Sequence, residues 1–369
     1  MMSKHQDWIR SVLRLLSLVW LQGILCAQGT LTFVPTDREQ PAELQKTLNA
    51  IGGKDATHFV LALTEATDLK GVDHCIAPED FAGANDRALC KAILEADVLV
   101  LRGGTFIGWY KTVYPSGMKT HLASALREYL RSQRPLIAYG GATEFLSGGV
   151  ALPVAELEAG LDERKRNPHD KDEHKARVAL PVGPNALFDS EDWEAGAPLR
   201  ILRALWKTHA DLGFLFVGPV ALEFSRQTNT AQVLGGGQIL IFDLRKARRG
   251  KGYADGVRAH LLAEGDGWNF GTHSATFVDL TTRKESKTRH KDRAEVHRRV
   301  DPKSSEQKIG ALEFADWVRE QAREHALERR WLALEVEWNL SWDAGSAVWS
   351  AADQISVLGV PLSCRWMQH

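Results

Sequence analysis

From residue 29 onward, short apolar runs alternate with stretches in which apolar residues recur every three or four positions. Leu31–Val34, Phe59–Leu63, Val98–Leu101, Leu136–Tyr139 and Phe214–Val217 have strand length and little polar alternation, whereas Glu39–Ala50, Asn85–Glu95, Met118–Arg131 and Leu199–Trp206 carry helical spacing. Buried strands separated by helices predict an α/β fold: a mostly parallel sheet covered on both faces, in three αβα layers. Two segments break the rhythm. Residues 160–200 are charged and irregular and read as a surface insertion, and residues 281–309 carry ten Lys/Arg against five Asp/Glu and read as a basic linker.

Beyond the linker the pattern changes. Residues 310–369 read as a small Trp-rich α+β appendage, with a helix over Ala311–Arg330 and a half-buried strand over Trp331–Trp342. Along that strand Leu332, Leu334, Val336, Trp338 and Leu340 alternate with polar positions. Asp343-Ala344-Gly345 is a turn signal leading to Val348–Ser350. Six of the twelve tryptophans fall between Trp317 and Trp366. Their period places them in a core, with a carbohydrate-stacking platform as the alternative.

The charge balance narrows the partners. With 46 Lys+Arg against 47 Asp+Glu the net charge is -1, which argues against a nucleic-acid-binding protein, because phosphate binding needs a basic surplus. Residues 1–27 have the make-up of a secretory signal: Lys4, Arg10 and Arg14, then the apolar run Leu15–Ala27, then polar Gln28. That run is too short to span a bilayer, so a secreted or periplasmic mature chain without a transmembrane segment is expected. In an oxidising compartment Cys75 and Cys90 form a candidate disulfide, with two buried, unpaired thiols as the alternative.

Candidate chemistry lies at the carboxyl ends of two strands, where parallel sheets gather reactive groups. Val98–Leu101 runs into Arg102-Gly103-Gly104-Thr105-Phe106. Leu136–Tyr139 runs into Gly140-Gly141-Ala142-Thr143-Glu144, a strand, sharp turn and helix resembling a nucleophile elbow. Gly235–Gly237 precedes a strand rather than a helix and reads as a hairpin turn, not a phosphate loop. His169 and His174 lie in a charged loop without helix-based ligand spacing, so no metal and no cofactor are expected.

These runs resemble the core of the cyanophycinase and peptidase E family, serine peptidases with a class I glutamine-amidotransferase-like (flavodoxin-like) fold. Besides residues 96–106 and 126–149, the segments Gly52-Gly53-Lys54-Asp55-Ala56, 218–234 and 257–270 resemble family blocks in the same order, over residues 28–280. The family's elbow serine falls on Gly140 and its histidine on Glu223. Its acidic third member falls near Glu156 or Glu158, and its substrate-contacting turn on Gly103 and Gly104, with Gly140 and Gly141 completing a backbone cradle. The resemblance therefore implies a secreted relative that has lost serine-peptidase activity and binds a peptide, a carboxylate or a partner protein. The alternative is an active hydrolase using Thr143 or a metal-bound water as nucleophile, with Glu223 as base.

Overall fold

A computed structural model describes residues 29–35, 41–64, 71–115, 118–147, 186–189, 210–250 and 253–276. It also describes helical positions at 198, 201, 202, 205, 315 and 318 and short strands from Lys284 to Trp366. Five strands come first: β1 (Thr30–Val34), β2 (His58–Leu63), β3 (His74–Ile76), β4 (Val98–Gly103) and β5 (Leu136–Tyr139). They lie side by side, all parallel, in the order β3-β2-β4-β5-β1. Helices α1 (Ala42–Asn49), α2 (Arg87–Glu95), α3 (Phe106–Val113), α4 (His121–Arg131) and α5 (Gly141–Ser147) connect or follow them.

The unbroken apolar runs follow from burial on two faces. Alternate side chains point to opposite sides of a strand, so Leu99, Leu101, Leu136 and Ala138 join α2 and α4 in one core cluster. Val98, Val100, Ile137 and Tyr139 pack with Leu44 and Leu48 of α1 in another. Helix starts are capped where the sequence supplies a short polar side chain. Asp86 accepts from the Ala88 amide at 2.7 Å ahead of α2, and Thr120 accepts from the Ala123 amide at 3.1 Å ahead of α4. The Thr120 cap starts α4 at His121 rather than at Met118.

The later strands are β6 (Leu187–Asp189), β7 (Leu212–Val217), β8 (Ala221–Ser225), β9 (Thr230–Leu234), β10 (Gln238–Asp243), β11 (Arg248–Gly250), β12 (Tyr253–Ala263), β13 (Gly267–Asn269) and β14 (Ser274–Thr276). Of these, β8, β9, β13 and β14 extend the first sheet antiparallel beyond β1. A second sheet holds β6, β7, β10 and β12. The expectation of a mostly parallel sheet is therefore corrected: the fold is α/β with two large mixed sheets. Apolar runs report burial on both faces and say nothing about strand direction.

Gly235–Gly237 is likewise no hairpin. It carries the chain from β9 in the first sheet to β10 in the second, while Gly218-Pro219 carries it the opposite way from β7 to β8. The two crossings touch, with the Gly237 amide donating to the Pro219 carbonyl at 3.0 Å. Rings fill the space between the sheets: Phe33 lies 4.7 Å from Phe188, and Phe214 meets Trp268 edge-on at 6.4 Å.

Inside the expected insertion, Ala186, Leu187 and Phe188 are buried, and β6 pairs parallel with β7. Three apolar residues in a charged neighbourhood are too few to give a periodic signal. At the C-terminal end β15 (Lys284–Glu285), β16 (Val296–Arg298), β17 (Glu328–Ala333), β18 (Val336–Ser341), β19 (Ala347–Ala351) and β20 (Gln354–Trp366) belong to the second sheet. Trp331–Trp342 is thus not one strand, since β17 and β18 pair antiparallel with Ala333 opposite Val336. In register Leu332 stands opposite Glu337 and Trp331 opposite Trp338, so the parity of the alternation changes between the two strands, which the sequence pattern does not reveal. Ala315 and Val318 are helical and buried, whereas Glu328–Arg330, assigned to the same helix from sequence, begin β17. Strand β20 pairs along β12, so the C-terminal strands continue the sheet of the preceding residues.

Candidate functional site

The ends of β4 and β5 form a paired turn. Gly103 and Gly104 have φ of 69° and 66°, and Gly140 has φ of 56°. That left-handed conformation is strained for a residue with a side chain, as at a nucleophile elbow. The Gly140 amide donates to the Val34 carbonyl at 3.0 Å, and the Gly140 carbonyl accepts from the Thr143 amide at 2.9 Å. A Cβ built on Gly140 meets nothing within 4 Å, so it would project into open space. A Cβ on Gly141 would lie 2.6 Å from the Gly104 carbonyl oxygen. The two turns therefore rest on each other backbone to backbone, with Gly141 against Gly104.

Helix α3 holds the first turn in place. The Trp109 indole N–H donates to the Gly103 carbonyl at 2.8 Å, and the ring stacks on Phe145 of α5 at 6.0 Å. The Thr105 hydroxyl accepts from the Gly108 amide at 3.1 Å and caps α3. Arg102 lies over the Tyr139 ring at 5.5 Å. Sequence reading missed α3, because Phe106–Val113 is too apolar to display a polar face. The Thr105 cap was the available signal.

Thr143 does not face the open side of the elbow. Its side chain is fully buried, and its hydroxyl lies 3.0 Å from the Val34 carbonyl and 2.9 Å from the Ala138 carbonyl. A hydroxyl whose one proton is held between buried backbone carbonyls has no base to activate it, which removes Thr143 as a nucleophile. The hydroxyl donates to preceding carbonyls rather than accepting from the helix's first amides, so it does not cap α5. Thr143→Val is expected to destabilise the protein by about 1 kcal/mol, measured by urea unfolding, by depriving those carbonyls of a donor.

Glu223 is not beside the elbow either. In register it stands opposite Thr32 of β1, and Thr32 stands opposite Ile137 of β5. Glu223 is thus two strands across from β5 and three residues short of Gly140, a backbone separation of about 14 Å from strand spacing and rise. A glutamate side chain cannot bridge that gap, so the sequence-based pairing of Glu223 with Gly140 is corrected. Its side chain shares the face of Ala221, which packs with α1, and burial raises its carboxyl above the usual carboxylate range. The residues next along the chain toward the elbow, Leu222 and Ala221 of β8 and then Val220, have no acid–base group.

Glu144, in the first turn of α5 and buried, is the carboxyl nearest the elbow in sequence, and composition gave no reason to single it out. Glu156, Glu158, His169 and His174 lie outside the described residues, as does the signal-like segment 1–27. Cys75 on β3 and Cys90 on α2 are both free thiols, so the expected disulfide is not formed, and burial raises the Cys90 thiol above its ordinary range. Among the described residues no group of three or more His, Cys, Asp or Glu is placed to hold a metal ion. None of their helices is long and apolar enough to cross a membrane.

No known protein family matches the chain by sequence, and no curated protein does so. Among solved structures, the chain is similar to a peptidase from an acI-B1 Actinobacterium. The identity is 14%, the match covers 66% of this chain and 97% of that one, and the TM-score is 0.45.

Proposed function

We propose that this chain is a secreted, non-hydrolytic relative of the cyanophycinase-like peptidases that binds a peptide, a carboxylate or a partner protein at the paired glycine turns. The parallel half of the first sheet, with helices on both faces, is read as the class I glutamine-amidotransferase-like arrangement. One observation carries the reading: the elbow residue is Gly140, left-handed and facing open space, with no attacking atom. Serine-type hydrolysis needs an oxygen nucleophile within hydrogen-bond reach of a base. Here the first is absent and Glu223 stands about 14 Å away by register.

The test is incubation of the purified mature protein with acidic-peptide and arginyl-aspartyl substrates and with a serine-directed fluorophosphonate. Background turnover and no labelling are expected, for wild type and for Gly140→Ser alike, because adding the hydroxyl does not supply its base. Turnover by the wild-type chain, abolished by Thr143→Ala, would establish the hydrolase reading instead. N-terminal sequencing of the exported protein checks the localisation, with Gln28 expected as its first residue.

A further inference from the structure

Strands β12 and β20 form the seam between the C-terminal strands and the rest of the second sheet. The register along this seam slips twice, between Ala254 and Val257 and between Ala259 and Leu261. At the second slip Ala259 pairs with Val360 and Leu261 with Val357, leaving Leu358 and Gly359 opposite His260 alone. This is a bulge, with Gly359 at φ of 65°. It sits where β20 changes its outer neighbour, from β19, which pairs as far as Leu358, to β18, which pairs from Leu362 onward.

A bulge takes backbone groups out of the ladder, and buried ones need other partners. Two side chains of β12 supply them. The Gly359 amide donates to His260 Nδ1 at 3.1 Å, and the Gly359 carbonyl accepts from Arg258 at 2.6 Å. To accept at Nδ1, the imidazole must be neutral with its proton on Nε2. That nitrogen is buried without a hydrogen-bond partner, and the ring stands edge-on to Trp268 at 5.0 Å. A second proton would go onto Nδ1, turning the acceptor into a donor that faces another donor.

Burial opposes such a charge, and of the charged groups nearby only Asp243 favours it, against Arg245 and Arg258. The ring is 7% exposed. The charged groups around it are Asp243 on β10, Arg245 just after that strand, and Arg258 on its own strand. Asp243 is already engaged by the Arg245 guanidinium and backbone amide. From the remaining sides β13 presents the Trp268 indole and β20 the Gly359 backbone.

We propose that His260 is a proton-sensitive latch: its neutral ring holds the Gly359 bulge in place, and its protonation opens the seam between β12 and β20. Burial depresses the His260 pKa to about 4 in the folded chain, against an ordinary value of 6.5. The closed seam is therefore fully favoured above pH 6.5 and loses that advantage as pH falls toward about 4. Between those limits the opening equilibrium rises about tenfold per pH unit, as expected for uptake of one proton.

Hydrogen exchange of the full chain, read at the amides of residues 354–366 and corrected for the intrinsic pH dependence, tests this. Protection is expected to fall about tenfold per unit from pH 6 to 4.5. In His260→Asn, which keeps a non-titrating acceptor, protection should be flat over that range. An equal fall in the variant, or unchanged protection in the wild type, overturns the proposal. Nitrogen chemical shifts of the wild-type imidazole at neutral pH give a check independent of the variant's folding. A proton on Nδ1 overturns the latch, and a proton on Nε2 with an unprotonated Nδ1 supports it.

Discussion

Replacing Gly141 by alanine is expected to destabilise the protein by about 3 kcal/mol, the upper end for forcing atoms into a filled site. The added Cβ would lie 2.6 Å from the Gly104 carbonyl oxygen, 2.6 Å from the Thr105 carbonyl carbon and 2.7 Å from the Phe106 nitrogen. All three are backbone atoms, so relief requires moving the start of α3 rather than rotating a side chain. Gly140→Ala is the control. It adds a methyl group where nothing lies within 4 Å and bears only the left-handed strain, about 1 kcal/mol. Urea midpoints at unchanged m values give both numbers. Equal losses for the two variants would refute the close contact between the turns.

Trp109→Ala is expected to lose about 4 kcal/mol, as large-to-small aromatic changes in cores do. The side chain is fully buried, stacks on Phe145 and donates to the Gly103 carbonyl. Trp109→Phe separates the two contributions. It keeps most of the packing and loses the indole donor, so about 1–2 kcal/mol of the loss should remain. A loss below 1 kcal/mol for Trp109→Ala would mean that α3 is not anchored to the end of β4 through this ring.

Four of the five parallel strands, β1, β2, β4 and β5, were legible as apolar runs separated by helical spacing. Strand β3 is only three residues long and was not, and the other expected strand, Phe214–Val217, is β7 of the second sheet. The turns at Gly103-Gly104 and Gly140-Gly141 were legible for a related reason, as glycine pairs directly after apolar runs. Other features left no such trace. The split of Trp331–Trp342 into β17 and β18 leaves the apolar–polar alternation of the sequence unmarked, and β6 is only three residues long. The burial of the Thr143 hydroxyl depends on carbonyls contributed by β1 and β5.

The amino-acid order alone determined that the turn after β5 has a glycine at position 140, with no side chain to act there, whatever the surrounding fold. It also determined the class of fold, because the period of apolar residues is a local property of each element. Tertiary structure decided the rest. The distance between Gly140 and Glu223, the crossing of the chain between two sheets, and the seating of Gly359 on His260 are set by strand register. Register is fixed by residues far apart in sequence meeting across a ladder, and local periodicity does not encode that pairing.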